Sequence, residues 1–126
     1  MRLLLDTHVL LWWLDDDPRL GRAVDLIIDP TNDVIVSIVS LWEIAVKLRI
    51  GKLRGDLPAI ARAIDAQGYD RLDITVAHLE ALAALPDHHR DPFDHLLIAQ
   101  AQVEDLTFVT SDRFAAFYDV AVIACG

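Results

Sequence analysis

Asp6, Glu43, Asp94 and Asp112 are spread across the whole 126-residue chain, yet each stands at the end of an apolar run or in the first turn of a segment with helical spacing. In a parallel α/β fold such positions meet along one edge of the sheet, which predicts a carboxylate cluster. Hard carboxylate oxygens suit Mg2+ or Mn2+ and leave coordination places to water. The chemistry such a cluster supports is metal-assisted attack of water on a phosphodiester. The histidines offer no zinc set, because His88, His89 and His95 lack an i, i+4 pair or a cysteine partner.

The elements that must position these acids follow from periodicity and punctuation. Residues 3–5 form a short buried-type strand ending at Asp6, and residues 7–14 continue at helical length. Asp15-Asp16-Asp17-Pro18 breaks that helix, and apolar spacing over residues 20–28 predicts a second one, stopped by Asp29-Pro30. Residues 33–39 are apolar and rich in β-branched side chains, a strand that leads into a helix over 40–50 with Gly51 as its stop. Two Ala-rich helices over 57–67 and 75–85 flank a short extended piece at 72–74. A helix over 91–104, a buried strand over 106–110 and a last strand over 121–124 complete the chain. Strands alternating with helices imply an α/β fold with a central, mostly parallel sheet and helices on both faces, and right-handed crossovers place the strand exits on one edge. Length, and the lack of any repeat or linker, predict one domain over residues 1–126.

Net charge cuts against nucleic acid, since 11 Lys plus Arg against 20 Asp plus Glu gives −9. Divalent ions held by the acids would reverse the sign where a phosphate docks. Lys47, Arg49, Lys52 and Arg54 fall close together, and Arg90 and Arg113 lie beside acidic positions. These form a cationic rim for RNA or a partner, or are plain solvated helix-end charges; the sequence leaves both readings open. A hydrophobic content of 54% with mean hydropathy +0.34 points to apolar surface covered by another chain. Trp12, Trp13 and Trp42 fit core or dimer contacts. The lone Cys125 fits a reducing cytoplasm. Asp6 and Asp15 to Asp17 interrupt any signal-peptide pattern, and the apolar runs fall short of the ~20 residues that a membrane span needs.

Each acid also has a local structural explanation. Asp6 and Asp112 suit turn or cap positions, Ser40-x-x-Glu43 has the form of a capping box, and Asp91-Pro92-Phe93-Asp94 has the form of an N-cap, a first-turn proline and an acid set against the helix dipole. Thr7, Ser40 and Ser111 are either caps or hydrogen-bond partners for bound water or phosphate. The set decides what single residues do not: several acids along one edge repel unless cations compensate.

Four strings, Leu4-Leu5-Asp6-Thr7-His8, Ser37-Ile38-Val39-Ser40-Leu41-Trp42-Glu43-Ile44, Asp91-Pro92-Phe93-Asp94-His95-Leu96-Leu97 and Val109-Thr110-Ser111-Asp112, in this order and spacing, resemble the PIN-domain family and in particular its VapC-type toxins. The resemblance spans essentially the whole chain. It implies a metal-dependent endoribonuclease of a type II toxin–antitoxin pair, with Mg2+ or Mn2+ held by Asp6, Glu43, Asp94 and Asp112 and Asp91 contributing less directly. It also implies RNA as substrate, products with 5′-phosphate and 3′-hydroxyl ends, a cognate antitoxin laid along an apolar groove, and a homodimer. His8 stands where the family commonly has Asn. Two other classes compete. A phosphoacceptor receiver domain needs a late Lys and an early acidic pair, and here no Lys follows Lys52 and Asp6 stands alone. A catalytically silent PIN-like interaction module would account for the hydrophobicity without turnover, but not for four acids.

Overall fold

The computed structural model describes residues 1–87 and 91–125. Five strands, β1 (Arg2–Leu5), β2 (Asp33–Ser37), β3 (Asp70–Leu72), β4 (Thr107–Thr110) and β5 (Val122–Ala124), pair in the order β3-β2-β1-β4-β5, every pair parallel. The chain steps outward from β1 to β2 to β3 and then returns to lay β4 on the other side of β1. The crevice beyond the exits of β1 and β4 is therefore the point where strand order reverses.

Alternation along the strands sorts the core into two layers. Leu3, Leu5, Val34, Val36 and Val109 face one way and pack with α1 (Thr7–Leu14), α2 (Ala23–Ile28), α3 (Ile38–Arg49) and α4 (Leu57–Ala66). Leu4, Ile35 and Phe108 face the other way and pack against α6 (Pro92–Glu104), with Leu82 of α5 (Val76–Ala83) at the margin. Leu3, Leu4 and Leu5 are fully buried, as expected for a central strand covered on both faces. No helix among the described residues is long and apolar enough to cross a membrane.

Four boundaries differ from the sequence expectation. The segment over 20–28 is split: a 3-10 turn over Pro18–Leu20 ends at Gly21, whose φ of 55° breaks the helix before Ala23. The strand over 33–39 stops at Ser37, which caps α3 by accepting the Val39 N–H at 3.0 Å. Ser40 and Glu43 are thus interior helix residues and no capping box forms there; the capping box of this fold is Thr75 with His78 on α5. The extended piece lies at Asp70–Leu72, paired to the β2 exit, rather than at 72–74. A second 3-10 turn, Arg113–Phe117, follows β4.

The Ser37 cap wins because its side chain is tied into the opposite layer. Its hydroxyl donates to Gln100 Oε1 on α6, and Gln100 Nε2 in turn reaches the Asp73 carbonyl at 3.3 Å and the His78 Nδ1 at 3.3 Å. Ser37, Gln100 and His78 are all completely buried, so a satisfied polar chain joins β2, α5 and α6 beneath the strand exits.

Candidate active site

The four acids come together at the strand exits from three kinds of position. Asp6 follows β1 and caps α1, its Oδ1 accepting the Val9 N–H at 2.7 Å. Its Oδ2 accepts the Thr110 hydroxyl at the end of β4 and the Ser111 N–H at 3.4 Å. Asp112 leaves β4, caps the second 3-10 turn through the Phe114 N–H at 2.9 Å, and donates its own N–H to Thr110 Oγ1 at 2.9 Å. Glu43 projects inward from the second turn of α3. Asp94 lies in the first turn of α6, where Asp91 caps the helix by accepting the Phe93 and Asp94 N–H groups at 3.0 and 3.2 Å. Capping and clustering are therefore not alternatives: Asp6, Asp91 and Asp112 do both.

The acids feel one another's charge. Burial, and then the charges of Asp91, Asp6, Glu43 and Asp112, push the Asp94 carboxyl up to about 8. Asp6 is also raised, by burial, although hydrogen bonds from Thr110 and Val9 and the nearby His8 oppose the shift. Glu43 is 1% exposed, and while Lys47 Nζ approaches its Oε2 at 2.6 Å, its buried Oε1 has no hydrogen-bond partner among the described residues.

These features fit a divalent cation: all-oxygen donors of hard character, a carboxylate oxygen left open, and an acid whose anionic form is disfavoured by its neighbours. The ligands are not preassembled, however, since no three His, Cys, Asp or Glu side chains among the described residues stand close enough to hold an ion. The hydrogen bonds above give the reason. Asp6 is turned toward Thr110 and Val9, Asp112 toward Phe114 and Glu43 toward Lys47, so ligation requires side-chain rotation about a fixed backbone frame.

The remaining predicted residues divide. Thr7 and Ser40 are buried at the site and bond to each other, the Thr7 hydroxyl donating to Ser40 Oγ at 3.1 Å. Ser111 contributes its backbone N–H to Asp6. Lys47 is drawn into the acidic cluster. Arg49, Lys52 and Arg54 are exposed at the far end of α3; Arg49 lies roughly 9 Å beyond Glu43 along the helix axis at 1.5 Å per residue. They are not beside the carboxylates. Arg113 is exposed and lies over the Phe114 ring at 5.2 Å. Arg90, His88 and His89 lie outside the described residues. Trp12 and Trp13 pack on the core as expected, but Trp42 is 51% exposed and meets Phe93 edge to face at 4.8 Å. Thr110 and the Lys47–Glu43 contact were not singled out by the sequence. An i, i+4 spacing marks the second, and a hydroxyl two residues before Asp112 is the mark of the first.

The chain is a parallel α/β domain with acids at its switch point, where ligand sites of such folds lie. Comparison with known proteins narrows that class of fold: a family model described as PIN domain matches residues 3–123, and the chain belongs to this family. It is 28% identical over 113 residues to ribonuclease VapC22 of Mycobacterium tuberculosis, covering 88% of this chain and 87% of that protein. Its fold resembles that in the VapBC2 crystal structure from Rickettsia felis, solved with a DNA fragment from the promoter, with a TM-score of 0.77, 13% identity and all of both chains covered. A toxin–antitoxin complex from Klebsiella pneumoniae gives a TM-score of 0.68 at 18% identity, covering 97% of this chain and 96% of that one.

Proposed function

We infer that this chain is a metal-dependent endoribonuclease, the toxin of a type II toxin–antitoxin pair, hydrolysing RNA phosphodiester bonds and held inactive by a cognate antitoxin protein. The observation that carries the reading is the gathering of acids at the strand exits, Asp6 and Glu43 buried and Asp91, Asp94 and Asp112 half-buried, where burial and the neighbouring charges push the Asp94 carboxyl up to about 8. Burying that much like charge has no use in a silent interaction module, whereas a cation turns it into binding energy. Kinship to a ribonuclease of similar length supports RNA as substrate, and likeness to VapBC2 and to a toxin–antitoxin complex supports an antitoxin as partner.

Asp6, Glu43, Asp94 and Asp112 are the residues that hold Mg2+ or Mn2+. When bound, the ion supplies an activated water and neutralises charge growing on the phosphate. The chain's own groups do the rest. Thr110 and the Ser111 and Val9 N–H groups hold the Asp6 carboxylate at the β1 exit, within a side-chain rotation of the other acids. Asp91 holds the first turn of α6 and thereby sets where Asp94 projects. The Thr7–Ser40 bond ties α1 to α3 three residues before Glu43. Exposed Ile74, Val76, Leu79 and Val103 on α5, on α6 and just before α5 support coverage by another chain, either the antitoxin or a second copy in a homodimer.

The test is cleavage of a panel of tRNA, ribosomal RNA and synthetic RNAs by antitoxin-free protein, with Mg2+, with Mn2+ and with EDTA, beside Asp94→Asn. Cutting that needs metal and disappears in the variant supports the reading. Folded protein that cuts nothing under any metal, or cuts equally in EDTA, refutes it.

A further inference from the structure

Lys47 follows Glu43 by one helical turn on α3, and its ammonium stands 2.6 Å from Glu43 Oε2. At the surface such a pair contributes little. Here the partners differ in setting, with the Glu43 side chain 1% and the Lys47 side chain 30% exposed. A buried carboxylate loses its water partners, and a counter-charge within contact distance offsets part of that loss. The counter-charge comes from the rim on a flexible stem, and it covers just one of the two oxygens. The other, Oε1, is buried and open.

We propose that Lys47 is the resident counter-ion of the acidic site: it holds Glu43 in the metal-free protein and gives it up when a divalent cation arrives, so cation binding is an exchange. The proposal rests on the reading of this site as a metal site. A cation taking Glu43 Oε1 comes within a few ångströms of the ammonium and repels it. Four methylenes and partial exposure give the ammonium an outward path, with the stem still packed along α3. Displaced, it is a compact, strongly hydrated charge at the mouth of the site, suited to a phosphate oxygen of RNA. One residue thus couples loading of the site to contact with substrate. It also explains why the acids are not preassembled: Glu43 faces its internal partner.

Two measurements test this without reference to catalysis. The first is calorimetric titration of Mn2+ into wild type, Lys47→Arg and Lys47→Met. Loss of the competing charge predicts at least about tenfold tighter binding in Lys47→Met, with Lys47→Arg close to wild type. The second is the rate at which an amine-reactive reagent labels Lys47 in wild-type protein, read by mass spectrometry with and without saturating Mn2+, where release predicts a severalfold rise. Unchanged or weaker Mn2+ binding by folded Lys47→Met, or unchanged labelling, overturns the proposal. Should Lys47→Met not fold, the wild-type labelling decides alone. Wild type that binds no Mn2+ brings down both the metal-site reading and this proposal, whereas wild type that binds Mn2+ while Lys47 stays put brings down this proposal only.

Discussion

The two halves of the acidic site are built on opposite terms. At the strand exits, Asp6 is surrounded by donors: a helix N–H, a loop N–H and the Thr110 hydroxyl all point at its oxygens. On the helices, Glu43 has a single cationic contact and an open oxygen, and Asp94 sits where burial and four other acids disfavour its charge. One half is satisfied by the fold and serves as the frame. The other is left unsatisfied, and in the proposed function a cation completes it.

The strongest way to break the comparison is to neutralise one acid from each half. Asp94→Asn and Asp6→Asn should each lower metal-dependent cleavage by about 10³-fold or more, since several kcal/mol of charge stabilisation is lost. Their effects on stability should have opposite signs. Asp94→Asn relieves repulsion and should raise the melting temperature of metal-free protein by a few degrees. Asp6→Asn turns an amide toward groups that donate, which costs roughly 1–3 kcal/mol and lowers it by a few degrees. Thermal unfolding in EDTA checks this, and two shifts of the same sign would defeat the distinction between frame and completed half.

Metal addition sharpens it further. Saturating Mn2+ should raise the melting temperature of wild type, as for any ligand of the folded state, and should lose most of that effect in Asp94→Asn. Thr110→Val removes the hydroxyl that Asp6 accepts and that itself accepts the Asp112 N–H. About 1–2 kcal/mol of destabilisation is expected, with cleavage reduced less than by loss of either acid; denaturant titration and single-turnover cleavage measure the two. The smallest effect belongs to the distant cations. Arg54→Ala should leave kcat unchanged and raise KM by a few-fold at most, an effect that fades as salt rises.

Much of the frame was legible in the sequence. An acid closing an apolar run marks a strand exit, and Asp91-Pro92 marks a helix start by itself, so Asp6, Asp94 and Asp112 could be placed without coordinates. The start of α3 could not. Ile38 and Val39 prolong the β-branched pattern, and Ser37 and Ser40 both qualify as caps; the choice falls to a hydroxyl–amide bond with Gln100, 63 residues away. Lys47 was legible as a charge but not as the partner of a buried acid, because the i, i+4 spacing is the same whether or not water is excluded. Trp42 was legible as a contact residue, but whether it faces the core or the surface depends on a helix face that the sequence does not show. The readiness of the ligands also escaped the sequence, since it depends on rotamers chosen by competing hydrogen bonds.

The pairing of β1 with β4 carries a consequence for how the protein is made. Asp6 and its partner Thr110 are separated by 104 positions, and Asp112 comes later still. At about 5–20 residues per second, the ribosome emits the first carboxylate several seconds before the strand that orients it exists. A nascent chain that has not reached β4 holds Asp6 and Glu43 in a sheet lacking its β1 neighbour, with no assembled site. Synthesis itself therefore delays assembly of the acidic site until the chain is nearly complete.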